Sequence, residues 1–172
     1  IDLVWLVPLF PLIGFLINGL GRNLLPKSVV GITGCLTVFA SFILSVGIFF
    51  ELNSSETKSF IIPLFDWISA GSLKIPFSFL IDPLSSLMLL IVTGIGFLIH
   101  LYSTGYMSHD AGFARFFSYL NLFIFFMLLL VLGSNYVIMF IGWEGVGLCS
   151  YLLIGFWFTN ASYASAAKKA FI

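Results

Sequence analysis

Charge is what this sequence has least of. Only 8% of the 172 residues are charged, and seven basic side chains cancel seven acidic ones. A water-soluble domain carries about a quarter charged residues, so an ordinary solvated surface is excluded. With no excess of Lys and Arg, nucleic acid is excluded as a partner, because phosphate binding needs clustered cations. The two cysteines, Cys35 and Cys149, lie inside apolar runs and read as small core hydrophobes rather than a disulfide or metal pair. There is no CxxC, P-loop, dinucleotide glycine fingerprint, iron–sulfur cysteine cluster or haem-spaced pair of histidines. Redox, metal and nucleotide chemistry of the chain's own are therefore not expected.

What is abundant is hydrocarbon. Hydrophobic residues make up 60% of the chain, 21 of them Phe, and the mean hydropathy is +1.16. The fitting solvent is a bilayer, where helices satisfy their own backbone. Five apolar stretches have spanning length, about 17–25 residues: 3–20, 29–50, 84–106, 116–132 and 136–158. A sixth, 162–172, is incomplete. The fold expected is an all-α, polytopic transmembrane bundle over 1–172. Pro8 and Pro11 are expected to bend the first span. Asp82 and Pro83 form an N-cap and first helical position for the third. The connector Gly133-Ser134-Asn135 makes spans four and five antiparallel neighbours.

The chain starts at Ile1 without Met and stops within an apolar stretch, so a piece of a longer protein is expected. The first run has neither a basic leader nor a cleavage site and reads as a retained span. Between spans two and three, two short apolar stretches flank Gly71-Ser72, which predicts a surface β-hairpin at about 59–80, although its prolines are poor strand residues. Trp67 suits the membrane interface. Arg22, Lys27, Arg115, Lys168 and Lys169 gather on one side. Lys58 and Lys74, diluted by Glu51, Glu56, Asp66 and Asp82, lie on the other. The positive-inside rule then puts the N-terminus and the hairpin outside.

Glu144 is the leading candidate for chemistry. It lies roughly 12 Å from the outer end of span five. An acid at that depth costs about 2.5–3.5 kcal/mol facing lipid, so protein or water should face it. Gly142, Gly145 and Gly147 remove bulk around it and admit a neighbouring helix. Intramembrane acids are functional by default; the bland alternative is an acid that only hydrogen-bonds a neighbour. His100, with Ser103 and Thr104, forms a polar patch roughly 9 Å from the inner end of span three. It reads as a buried hydrogen-bonded imidazole or a proton relay. Asn121 and Ser118 are inter-helix hydrogen-bonding groups. Lys168 and Lys169 open the sixth helix, as snorkelling positive-inside markers or as part of a proton path. His109, Asp110 and Arg115 read as solvated loop residues.

The run from Phe140 to Trp157, FIGWEGVGLCSYLLIGFW, resembles the fifth-helix signature of the subunit 5 family of complex I, whose bacterial members are subunit L of NADH:quinone oxidoreductase. Asp82–Ser85, Gly96–Ser103 with Gly105–Met107, Arg115–Phe123 and Ala166–Phe171 agree in order along the chain. The resemblance implies an antiporter-like fold of about fourteen helices in inverted repeats, of which this chain holds five and part of a sixth. It maps the family's glutamate onto Glu144, its sixth-helix lysine onto Lys169 with Lys168 beside it, and its third-helix histidine onto His100. The partner lysines lie on later helices.

The implied activity is proton translocation in the membrane arm of a respiratory NADH:quinone oxidoreductase, in a bacterial inner membrane or its mitochondrial counterpart. This chain would hold no cofactor. Flavin, iron–sulfur clusters and quinone belong to partner subunits, and the neighbouring antiporter-like subunit is the expected contact. The rivals are the large subunit of a multi-subunit sodium/proton antiporter, a hydrogenase or photosynthetic relative, and a passive membrane scaffold. The continuation Gly145–Tyr151 favours the respiratory family.

Overall fold

The computed structural model describes residues 1–171. Helices α1 (Leu6–Leu20), α2 (Lys27–Ser54), α3 (Pro83–Tyr106), α4 (Phe113–Leu132), α5 (Tyr136–Ile154) and α6 (Ala161–Phe171) run in chain order. Strands β1 (Phe60–Ala70) and β2 (Leu73–Ile81) lie between α2 and α3. Helices α2 to α5 are long and apolar enough to cross a membrane. At 15 residues, α1 measures about 22 Å, against roughly 30 Å of hydrocarbon.

Local chemistry explains where the helix ends depart from the apolar runs. Turn-like bonds from Leu6 to Leu3 and from Val7 to Val4 precede α1, so its regular part starts at Leu6 rather than Leu3. Pro8 then falls in the first turn, where a missing N–H costs little, and Pro11 alone lies deeper. Helix α2 starts directly after Pro26 and continues past its apolar run through Glu51 to Ser54. Asp82 and Ser85 form a reciprocal capping box on α3, with Pro83 in its first turn, as the Asp-Pro pair predicts. Helix α5 ends four residues earlier than its apolar run, at Ile154, with Gly155 as C-cap. Phe156 and Trp157 are thereby freed to pack outside the helix.

The hairpin is present. Antiparallel pairing runs from Phe60 opposite Ile81 to Ala70 opposite Leu73, with register shifts between Pro63 and Phe65 and between Asp66 and Ile68. Gly71 turns the chain at φ +60, a conformation costly for any residue with a Cβ. Both strands are edges, which is where prolines are tolerated. Phe77 links the strands through ring contacts with Phe65 at 5.0 Å and Trp67 at 6.0 Å. The base of the hairpin is fastened to the α4–α5 turn. Phe79 forms a bridge with Gly133, and Asn135 Nδ2 donates to the Pro76 carbonyl at 2.9 Å.

Ile1, the C-terminal end of α2, the hairpin and residues 133–135 share one end of the bundle. Residues 21–26, 107–112 and 155–160 share the other. Two apolar clusters follow this division. Val4, Leu52, Ile81 and Leu132 belong to the first. Val30, Met107, Phe113, Phe117 and Phe156 belong to the second.

Candidate functional site

Glu144 lies near the middle of α5, about 12 Å from Tyr136 and 15 Å from Ile154. Its side chain is on the exposed face of that helix. A groove of about 480 Å³ runs along this face, lined by Tyr136, Met139, Phe140, Trp143 and Glu144. Among the described residues no cation lies within ion-pair distance of the carboxylate. The expected ring of glycines around Glu144 is not what forms. Gly142 and Gly145 point the other way, into α4. A Cβ on Gly142 would meet the Leu130 backbone at 2.5 Å, and one on Gly145 would meet the Phe126 ring at 2.1 Å. These two glycines set the α4–α5 spacing. Gly147 alone shares the Glu144 face, and nothing described lies within 4 Å of its Cβ position. Helical geometry gives the reason: positions i−2 and i+1 are about 160° and 100° away from Glu144, whereas i+3 is neighbouring.

His100 is buried in α3, 1% exposed. One ring nitrogen, Nδ1, pairs with the Gly96 carbonyl at 2.8 Å. The other, Nε2, is buried without a partner among the described residues. Beside it is an apolar cavity of about 120 Å³ bounded by Leu120, Phe123 and Ile124 of α4 and by Leu153 of α5. Ser103 is buried on the same side. Thr104, one turn beyond His100 and about 40° around the helix, donates its hydroxyl to the Leu101 carbonyl and lines the adjacent α2–α3 groove.

Lys168 and Lys169 lie about two turns into α6, which begins at Ala161, rather than at its opening. Both are exposed, and among the described residues neither forms an ion pair. The structure therefore does not join the four candidate residues by direct contact.

Two constellations go beyond the sequence reading. The first is a buried polar junction of α1, α2 and α4. Asn121 Nδ2 donates to Thr37 Oγ1 at 3.1 Å and to the Gly34 carbonyl at 3.3 Å. Asn18 Nδ2 donates to the Val30 carbonyl at 3.3 Å and reaches Asn121 Oδ1 at 3.5 Å. Ser118 donates to the Phe15 carbonyl at 3.3 Å. Asn121 and Ser118 thus link helices as expected. Asn18, within the first span but not singled out there, is 0% exposed, and its burial has a signal only in its helical spacing from Gly14.

The second constellation corrects the reading of Asp110 and Arg115 as merely solvated. Asp110 accepts from Trp157 Nε1 at 2.9 Å and from the Gly112 backbone N–H at 2.6 Å. The Arg115 guanidinium stacks on Phe156 at 4.6 Å and Phe158 at 5.4 Å. The indole and amide donors, helped by Arg115 and Lys27, hold the Asp110 carboxyl below its ordinary value against a smaller opposing effect of burial. This clasp ties the α3–α4 loop to the segment entering α6.

Comparison with known proteins follows this architecture. Residues 67–117 match the family described as NADH-ubiquinone oxidoreductase (complex I), chain 5 N-terminus. Residues 133–172 match the family described as NADH:quinone oxidoreductase/Mrp antiporter, TM. NADH-quinone oxidoreductase subunit L of Buchnera aphidicola is 46% identical over 99% of this chain and 28% of its own length. Subunit L of Escherichia coli is 43% identical over the same shares. NAD(P)H-quinone oxidoreductase subunit 5 of the Physcomitrium patens chloroplast is 43% identical over 98% of this chain and 24% of its own length. The chain spans just over a quarter of the length of the curated subunit L relatives it matches. With both family models falling on the α3 and α5 regions, and identity maintained from end to end, this membrane-embedded chain belongs to the antiporter-like subunit family of NADH:quinone oxidoreductases, that of subunit L and chain 5.

Proposed function

We propose that this chain is part of a proton-translocating membrane-arm subunit of a respiratory NADH:quinone oxidoreductase, with Glu144 as the carboxylate that takes up and releases the proton. The observation carrying this reading is the position of Glu144, midway along a membrane-length helix and amid the exposed apolar side chains of Phe140, Trp143 and Leu148. Left against lipid, that carboxylate costs about 2.5–3.5 kcal/mol. In the assembled complex this face of α5 is therefore covered by protein or water. Residues 1–172 form part of one antiporter-like domain, and Lys169, Lys168 and His100 extend the proton path beyond Glu144.

NADH oxidation and quinone reduction take place in other subunits, which hold the flavin, the iron–sulfur clusters and the quinone. The neighbouring antiporter-like subunit is the nearest partner. The membrane is a bacterial inner membrane, with mitochondria as the alternative. The cationic end of the bundle faces the cytoplasm and Ile1 faces outward. Remote redox chemistry moves a proton by changing which charged group faces Glu144. The scale is sufficient: bringing a unit charge to 4 Å at an effective dielectric near 20 is worth about 4 kcal/mol, and carrying one charge across 100 mV needs about 2.3 kcal/mol.

The sodium/proton antiporter reading keeps some support, because one matched family description includes both classes. The chain 5 match and the names of the relatives favour the oxidoreductase. Purification of the full-length protein decides between them: co-purification with flavin and iron–sulfur subunits is expected, and isolation with antiporter subunits alone refutes the oxidoreductase reading. Glu144→Gln, which keeps shape but removes titration, is expected to lower NADH-driven acidification in sealed vesicles several-fold. Undiminished acidification would leave Glu144 as a structural residue in a passive scaffold.

A further inference from the structure

Outside the Glu144 face, a groove of about 410 Å³ lies between α2 and α3, within the size range of ligand sites. It is amphipathic along its length. At the bundle's cationic end lie Lys27, Ser28 and Ser108. Deeper in the membrane the lining is apolar and includes Gly31, Ile32 and Cys35. From Lys27 to Cys35 the groove extends roughly 12 Å along α2. Gly31 leaves its floor open, since the atoms nearest a Cβ there, on Thr104 and Phe113, are both at 3.5 Å.

The polar end is prepared for an anion. Lys27 Nζ donates to the Ser108 carbonyl at 2.8 Å. An ammonium has three donors, so two stay free, and among the described residues no carboxylate lies within ion-pair distance. Asp110, the acid on this end, already accepts from Trp157 and Gly112. Helix α2 has no side-chain N-cap, so its first-turn N–H groups also favour negative charge. A cation at the membrane surface above an apolar slot matches the headgroup and tail of one molecule of the surrounding solvent.

We propose that the α2–α3 groove binds an anionic phospholipid, with its phosphodiester at Lys27 and one acyl chain laid along Gly31, Ile32 and Cys35. This site is independent of proton transfer at Glu144. Bound lipid would fill the slot between two helices that the chain's own side chains leave open.

The test uses the full-length subunit in its assembled complex, reconstituted in phosphatidylcholine nanodiscs. A minority of phosphatidylglycerol carries a photoactivatable group on its acyl chain, and a parallel sample carries the same group on phosphatidylcholine. Adducts from phosphatidylglycerol are expected to concentrate on the peptide spanning Ile32 to Cys35, well above those from phosphatidylcholine. Lys27→Gln should lower them roughly fivefold, the equivalent of about 1 kcal/mol, and Lys27→Arg should restore them. Gly31→Leu should remove them by filling the slot; Thr104→Leu serves the same purpose if the glycine variant fails to assemble. Equal labelling by both lipids, or undiminished labelling in Lys27→Gln, would overturn the proposal.

Discussion

At the residue scale, direction matters as much as depth. Glu144 and its flanking glycines share a short segment, yet Gly142 and Gly145 face α4 while the acid faces the opposite way. The depth of Glu144 was legible from the span around it. The assignment of the glycines was not, because it depends on which face of α5 meets α4. Asn121 carries a larger share of the packing than an isolated polar residue implies, since its amide joins Gly34 and Thr37 of α2 and meets Asn18 of α1. Asn121→Ala should destabilise this junction by about 1–2 kcal/mol, seen as earlier loss of the subunit when the assembled complex is heated. An unchanged profile would show that the junction contributes little.

Asp110 supplies a pH dependence. Its carboxyl is held low by donors that favour the charged form. The stability this adds is present above its unfolded value, near 3.9, and is lost as pH falls through the lower folded value. The link between the α3–α4 loop and the start of α6 should therefore be unaffected across neutral pH and weaken only below about pH 4. Protease nicking of the 107–112 loop in the complex measures this. Asp110→Ala should raise nicking already at pH 7, and Trp157→Phe added to it should have little further effect, because both remove one contact.

At the element scale, the close approach of α4 and α5 rests on absent side chains. Gly145→Ala places a methyl group 2.1 Å from Phe126, well inside contact distance. Overpacking of this kind costs about 1–3 kcal/mol, and the subunit's abundance in membranes should fall. Gly47→Ala on α2, with nothing within 4 Å, should be neutral. Equal abundance of the two variants would contradict the packing described here.

Most element identities were readable. The apolar runs located five helices to within a few residues, and the Gly71-Ser72 turn located the hairpin despite Pro63 and Pro76. The errors lie at the ends, where hydropathy is a poor guide. Helix α2 outlasts its apolar run because backbone hydrogen bonding continues through Glu51–Ser54. Helix α5 stops short of its own because Gly155 ends it and Phe156 and Trp157 find better contacts against Arg115 and Asp110. That clasp was illegible because its partners are separated by more than forty residues.

At the scale of the whole molecule, the bundle has two chemically distinct ends. The hairpin, Ile1 and the α4–α5 turn form one, and the opposite end, with Arg22 in a loop and Lys27 and Arg115 at the starts of α2 and α4, forms the other. The native cysteines are buried, so introduced thiols report sidedness cleanly. In intact cells Ser72→Cys should react with a membrane-impermeant maleimide, while Asn23→Cys should react only after the membrane is opened. The reverse pattern would invert the proposed topology.

The α5 face is where the molecule's inner and outer organisation meets the proposed transport role. The most direct measurement is infrared difference spectroscopy of the assembled complex in membranes during NADH-driven turnover, comparing the native protein with Glu144→Gln. A carboxylic-acid C=O band that appears with turnover and disappears in the variant is the predicted result. Turnover spectra that are the same in both proteins would contradict proton exchange at Glu144.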